Sequence, residues 1–110
     1  MENSRAADDK RCCERIPADI SLRFLNMYAN RWSQVKMHDI SIKGVGLVTE
    51  ELLAPNTLLQ VWLPVPGKDE SLYAWGSVAW SKPDEPDRYR TGVSIETADL
   101  SPITKALRTA

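Results

Sequence analysis

Residues 18–25 read Ala-Asp-Ile-Ser-Leu-Arg-Phe-Leu, in which Ile20, Leu22 and Phe24 alternate with Asp19, Ser21 and Arg23. Successive side chains of a strand point to opposite faces, so this period of two marks a strand with one buried and one wet face. Working outward, residues 26–32 read as a loop, and residues 34–39 alternate again through Val35 and Met37. Gly44 and Gly46 break the next segment, leaving Val45, Leu47 and Val48 as a short strand. Pro55-Asn56 marks a turn, and residues 57–63 form a strand rich in Leu, Val and Trp that Pro64 and Pro66-Gly67 stop. Residues 72–80 make a long strand with a bend expected at Gly76. Residues 82–87, with Pro83 and Pro86, read as a turn before a last strand over 89–95. Ser101-Pro102 then reads as a helix start, Ser as N-cap and Pro in the first turn, with Ile103, Ala106 and Leu107 on one apolar face. Six short strands and a terminal helix predict an all-β fold, a small antiparallel barrel or sandwich.

A chain of 110 residues has room for one domain and one core without staples. With 43% hydrophobic and 26% charged residues it is globular rather than disordered. It has no apolar run long enough to span a bilayer and no secretory leader, so a cytoplasmic location is expected. Residues 1–9 are polar and are expected to form a flexible arm ahead of a domain over 10–110. A net charge of −1 disfavours a protein that coats long nucleic acid, although local cation clusters still allow a small anionic ligand. Cys12 and Cys13 are adjacent, too close in sequence for an ordinary disulfide, which fits a reducing compartment. The one histidine, His38, and the absence of spaced cysteines leave no metal-ligand set. No nucleophile, base and orienting group come together in the sequence, so an enzyme is not expected.

Two segments carry chemistry. In Lys10-Arg11-Cys12-Cys13-Glu14-Arg15, two arginines lie four apart just before the first strand. Arginine suits planar, bidentate recognition of phosphate and of guanine O6 and N7. The plainer reading is a solvated basic arm, offset by Asp8, Asp9 and Glu14. In His38-Asp39-Ile40-Ser41-Ile42-Lys43-Gly44, an Asp and a Ser two apart would project on the same side of an extended chain. An ionised Asp only accepts, and the Watson–Crick edge of guanine presents N1–H and N2–H₂ donors for it. Gly44 would allow a positive φ or a close backbone approach. The plainer reading is a turn in which Asp and Ser cap their own backbone.

Taken together, Arg11-x-x-x-Arg15 and Asp39-x-Ser41-x-x-Gly44 resemble the paired signature of the PilZ domain family. Gly76-Ser77-Val78-Ala79-Trp80 and Tyr89-Arg90-Thr91-Gly92-Val93 are similar to two of its strands, and the likeness covers residues 10–108. The resemblance implies a six-stranded antiparallel β-barrel with a C-terminal helix, and a bacterial receptor for the second messenger cyclic di-GMP with no further cofactor. It implies that Arg11 and Arg15 grip guanine edges and phosphate and that Asp39 takes a guanine Watson–Crick edge. Ser41 would contact guanine or phosphate, and Gly44 would let the backbone come close. Lys10, beside the motif, adds a third cation in a neighbourhood the family associates with how many nucleotides bind; two per chain are expected. The family's usual basic and apolar residues after the first motif arginine are here Cys12 and Cys13, which loosens the arm's anchoring. Trp32, Trp62, Trp75 and Trp80 are expected in the core or at its rim rather than against ligand. The implied output is a conformational signal, read from an arm that ligand orders, to a protein partner. The alternatives are an adaptor of the same fold without nucleotide binding, as in type IV pilus assembly or motility, and a small barrel binding single-stranded nucleic acid.

Overall fold

The computed structural model describes residues 15–109. The expected arm at residues 1–9, and Lys10 and Arg11, lie outside them. The alternating segments form β1 (Ile16–Pro17), β2 (Ser21–Asn26), β3 (Arg31–Ile40), β4 (Gly44–Thr49), β5 (Leu58–Pro64), β6 (Ser71–Glu85) and β7 (Arg88–Ile95), followed by helix α1 (Ser101–Thr109). Every pairing is antiparallel. Six strands run in the order β3-β2-β5-β6-β7-β4, and β4 returns to β3, so the sheet closes into a barrel. The short β1 extends the β2 edge of β3, with Ile16 opposite Ile40 and Pro17 opposite Asp39. This is the six-stranded barrel with a C-terminal helix that the family resemblance implies, and it settles the choice between barrel and sandwich that the strand pattern left open.

The interior is aliphatic. Leu22, Met37, Ile40, Leu47, Leu59, Val61 and Leu63 point inward and are nearly or fully inaccessible, with Phe24 the one aromatic among the buried residues. Each contributes roughly 1.5–3 kcal/mol relative to an exposed position. Leu100 and Ile103 bring α1 into the same core, and both are wholly buried. All four tryptophans lie outside the barrel or on its margin, with Trp32 and Trp80 exposed and Trp62 and Trp75 half-buried, so none is a core residue.

Three local readings change. Strand β6 continues through Pro83, opposite Tyr89, and the turn is confined to Pro86-Asp87. Beyond Ser77, β6 has no β5 partner, and a proline without an N–H is tolerated where one edge of a strand is free. Gly44 and Gly46 lie inside β4 rather than breaking it. At the helix start, Leu100 O accepts the first helical bond from Thr104 N, which puts Ser101 inside the first turn. The capping carboxylate is Asp99, whose Oδ1 accepts from Ser101 N at 3.0 Å and from Ser101 Oγ at 2.6 Å. Those two bonds, the hydroxyl's first, hold the Asp99 carboxyl below its ordinary range. Among the described residues no helix is long and apolar enough to cross a membrane.

Candidate functional site

Two bulges shape one patch of the outer wall. On β3, Met37 faces Leu47 and the next pair is Asp39 with Gly46, so His38 is an extra residue. On β6, Val78 faces Val93 and the next pair is Trp80 with Gly92, so Ala79 is extra. Each extra residue resets the alternation. Met37 and Val78 stay in the core while Asp39 and Trp80 turn onto the outside. Gly46 and Gly92 are themselves opposite each other in β4 and β7. The row Asp39–Gly46–Gly92–Trp80 therefore crosses four strands, with a side chain at each end and two bare glycines as its floor.

Both glycines make room for what lies on them. A Cβ on Gly46 would run into Asp39 Oδ1, and a Cβ on Gly92 would stand 2.5 Å from Trp80 Cε2 and Nε1. Neither has a positive φ; among the described residues Gly67 is the one glycine that does. Lys82 Nζ lies 5.2 Å from the centre of the Trp80 ring, within reach of a cation–π contact.

Arg15 enters from the start of β1. The pairing of Pro17 with Asp39 carries it alongside the carboxylate, and Arg15 Nη1 donates to Asp39 Oδ1 at 2.8 Å. On the other side, His38 Nδ1 lies 3.3 Å from Asp39 Oδ2. The Arg15 side chain is 49% exposed and that of Asp39 21%, so the pair is open to solvent and contributes no more than about 1 kcal/mol to stability. Ser41 sits differently from expectation. β3 ends at Ile40, and Ser41 turns into the β3–β4 connection, where it is buried. Its N–H donates to Gly44 O at 2.9 Å, and its hydroxyl accepts from Lys43 N at 3.3 Å. Gly44 is needed because a Cβ there would strike the backbone oxygen of Val93.

Arg15, Ser41, Gly44, Trp80, Gly92 and Ser94 line a shallow depression of about 210 Å³. Arg15 and Asp39 meet directly, Arg15 lines the depression with Ser41 and Gly44 while Asp39 lies beyond its lining, and Lys10 and Arg11 lie outside the described residues. A larger hollow of about 700 Å³ elsewhere contains none of these residues, and its Arg31 and Glu51 face each other at 3.4 Å. Among the described residues no group of three or more His, Cys, Asp and Glu is placed to hold a metal ion. Sequence reasoning missed Gly46 and Gly92 as a floor and set Trp80 aside as core or rim. Gly46, two residues after the motif glycine, and Gly92 in the Tyr89–Val93 pattern were the signals available.

The barrel is similar to that of the Bacillus subtilis inhibitor of motility MotI/DgrA, at a TM-score of 0.67 and 12% identity over 86% of this chain and 48% of that one. Escherichia coli YcgR, solved in complex with c-di-GMP, matches at 0.59 and 14% identity over 88% of this chain and 42% of that one. The PilZ domain of CeSA from a cellulose-synthesizing bacterium matches at 0.57 and 16% identity, over 87% of this chain and 93% of that domain. The chain spans about half the length of MotI/DgrA and less of YcgR. No curated protein matches by sequence. The family model of the PilZ domain matches residues 9–108, nearly the whole chain, and the chain belongs to the PilZ domain family.

Proposed function

We propose that this chain is a non-enzymatic receptor for cyclic di-GMP, which it holds on the outer wall between Arg15 and Trp80 and whose arrival it signals to a protein partner. The observation that carries the reading is the row of Asp39, Gly46, Gly92 and Trp80, with Arg15 on the carboxylate. Guanine offers N1–H and N2–H₂ on one edge, and a carboxylate accepts both. Arg15 and His38 occupy one direction on each Asp39 oxygen, and each oxygen keeps a further lone pair. The glycine floor lets the Asp39 carboxylate and the Trp80 indole lie flat against the wall, leaving their outer faces to the ligand. The Trp80 indole supplies a stacking face of the sort worth about 1–3 kcal/mol per base. Arg11 and Lys10 are assigned the second guanine edge and the phosphates, and Ser41 and Gly44 the margin of the depression. A depression of this size takes one base, and the rest of the dinucleotide is assigned to the cations of residues 10–15.

A second reading, an adaptor of the same fold without nucleotide, draws on the bond between Arg15 and Asp39, which lets the site satisfy itself. Calorimetric titration with cyclic di-GMP separates the two. The receptor reading expects saturable heat, and Asp39→Ala to weaken binding roughly 5- to 150-fold, since a bidentate base contact contributes about 1–3 kcal/mol. No heat with the wild type at high micromolar ligand would sink the receptor and leave the adaptor.

A further inference from the structure

The barrel has a second distinctive wall, on the outer face of β3, β2, β5 and β6. Trp32, Trp62 and Tyr73 stand in a chain there, with successive ring centres 4.8 Å apart. Met27 and Leu58 lie further along the same wall, joined to each other by the bond from Met27 N to Leu58 O at 3.0 Å, with Gln60 between Leu58 and Trp62 on β5. Of the eight exposed large hydrophobic residues among those described, five (Met27, Tyr28, Trp32, Leu58 and Tyr73) lie on this wall or its hairpin turn, so they form a patch rather than a scatter. Arg23 sits inside it, opposite Trp62 in the β2–β5 register, with its guanidinium 5.7 Å from the Trp32 ring centre.

Charge says what would cover the patch. Arg15, Arg31, Arg88 and Arg90 each face a carboxylate, and the neighbouring Lys36 faces Asp19. Arg23 faces none among the described residues. Tryptophan, tyrosine and arginine are the residues that dominate binding energy at protein interfaces. A second copy packed about a two-fold axis at Arg23 would set like charges together, and an acidic partner residue would not. An anionic membrane surface is also a poor match, since it calls for clustered cations, and the other cation beside Arg23 on this face, Lys36, already faces Asp19.

We infer that this wall docks a protein partner through an apolar or aromatic segment carrying an Asp or Glu, which pairs with Arg23 while the segment lies across Trp32, Trp62 and Tyr73. The inference rests on the proposed function only in requiring a partner, and the two fail separately, because nucleotide is read by titration at the other wall.

The test is selection of a phage-displayed library of random linear peptides on the full chain, followed by affinity measurement with the synthesised winners. The expected peptides combine a large apolar residue with Asp or Glu, and lose about tenfold or more in affinity to Arg23→Glu and to Trp32→Ala. Both side chains lie outside the barrel, and Arg23→Glu reverses a surface charge and removes its contact with the Trp32 ring, so a thermal melt matching wild type keeps the variants interpretable. Failure to select any peptide that depends on these residues overturns the inference, as do winners without an acidic residue. It is equally overturned if the chain sediments as a dimer that Arg23→Glu or Trp32→Ala dissolves, pellets with phosphatidylglycerol vesicles, or binds oligothymidine through Trp32.

Discussion

Replacing Gly46 with Ala separates recognition from folding. The added Cβ collides with Asp39 Oδ1, the far end of a side chain that is free to swing outward, so the backbone need not yield. Gly46 has no positive φ, and alanine there gains about 0.4–1 kcal/mol by restricting the unfolded chain. Against this stands loss of the solvent-exposed bond from Arg15, at most about 1 kcal/mol. The two nearly cancel, and net stability should stay within about 1 kcal/mol of wild type. Ligand affinity has no such compensation. The displaced carboxylate no longer lies over the floor beside Arg15, and the bidentate contact of about 1–3 kcal/mol is lost, roughly 5- to 150-fold in Kd. Urea denaturation and calorimetric titration with cyclic di-GMP on one preparation measure both quantities. Unchanged affinity in a folded Gly46→Ala protein would refute the idea that the carboxylate's placement over Gly46 matters to binding.

Gly44→Ala should do the reverse, destabilising the fold by about 1–3 kcal/mol in urea, because its Cβ meets the Val93 backbone oxygen and only separation of β4 from β7 relieves it. Trp80→Ala should lower the melting temperature, since the indole is packed on Gly92, while leaving the chain folded, and weaken cyclic di-GMP by about 1–3 kcal/mol; an unchanged Kd in the folded variant would show that the indole does not stack on the ligand. Asp99 contributes stability through a depressed carboxyl pKa, so the stability gap between wild type and Asp99→Ala should be full above pH about 4. It should shrink as the pH falls through the folded-state value, which lies below the ordinary 3.8. A gap that is constant or widens on acidification would contradict the capping role.

The strands were legible because closure leaves each with one wet and one dry face, and residues such as Leu22, Phe24, Met37, Val61 and Val93 carry that alternation in the sequence. The long β6 was not, because Pro83 signals a turn unless one knows that its other edge is free. In the site, the motif residues could be named from their spacing, and Arg15 and Asp39 do meet. The expectation that Asp39 and Ser41 share a side fails because the strand ends between them. The glycine floor was illegible for a deeper reason. That Gly46 underlies Asp39 and Gly92 underlies Trp80 depends on cross-strand register, and two bulges shift that register by one residue each. Nothing local to His38 or Ala79 announces a bulge.

A barrel with its indoles on the outside has an unusual optical character. Indole emission moves to longer wavelength in water, and here Trp32 and Trp80 are already exposed in the native chain while Trp62 and Trp75 are half so. Unfolding therefore shifts their emission less than it would that of core indoles. The same arrangement makes it a sensitive reporter of anything that touches the surface. Trp80 stands alone on one wall, and Trp32 and Trp62 are in ring contact on the other. With the other three tryptophans changed to phenylalanine, the remaining Trp80 emission belongs to one wall, and light from this protein distinguishes which of its two faces is occupied.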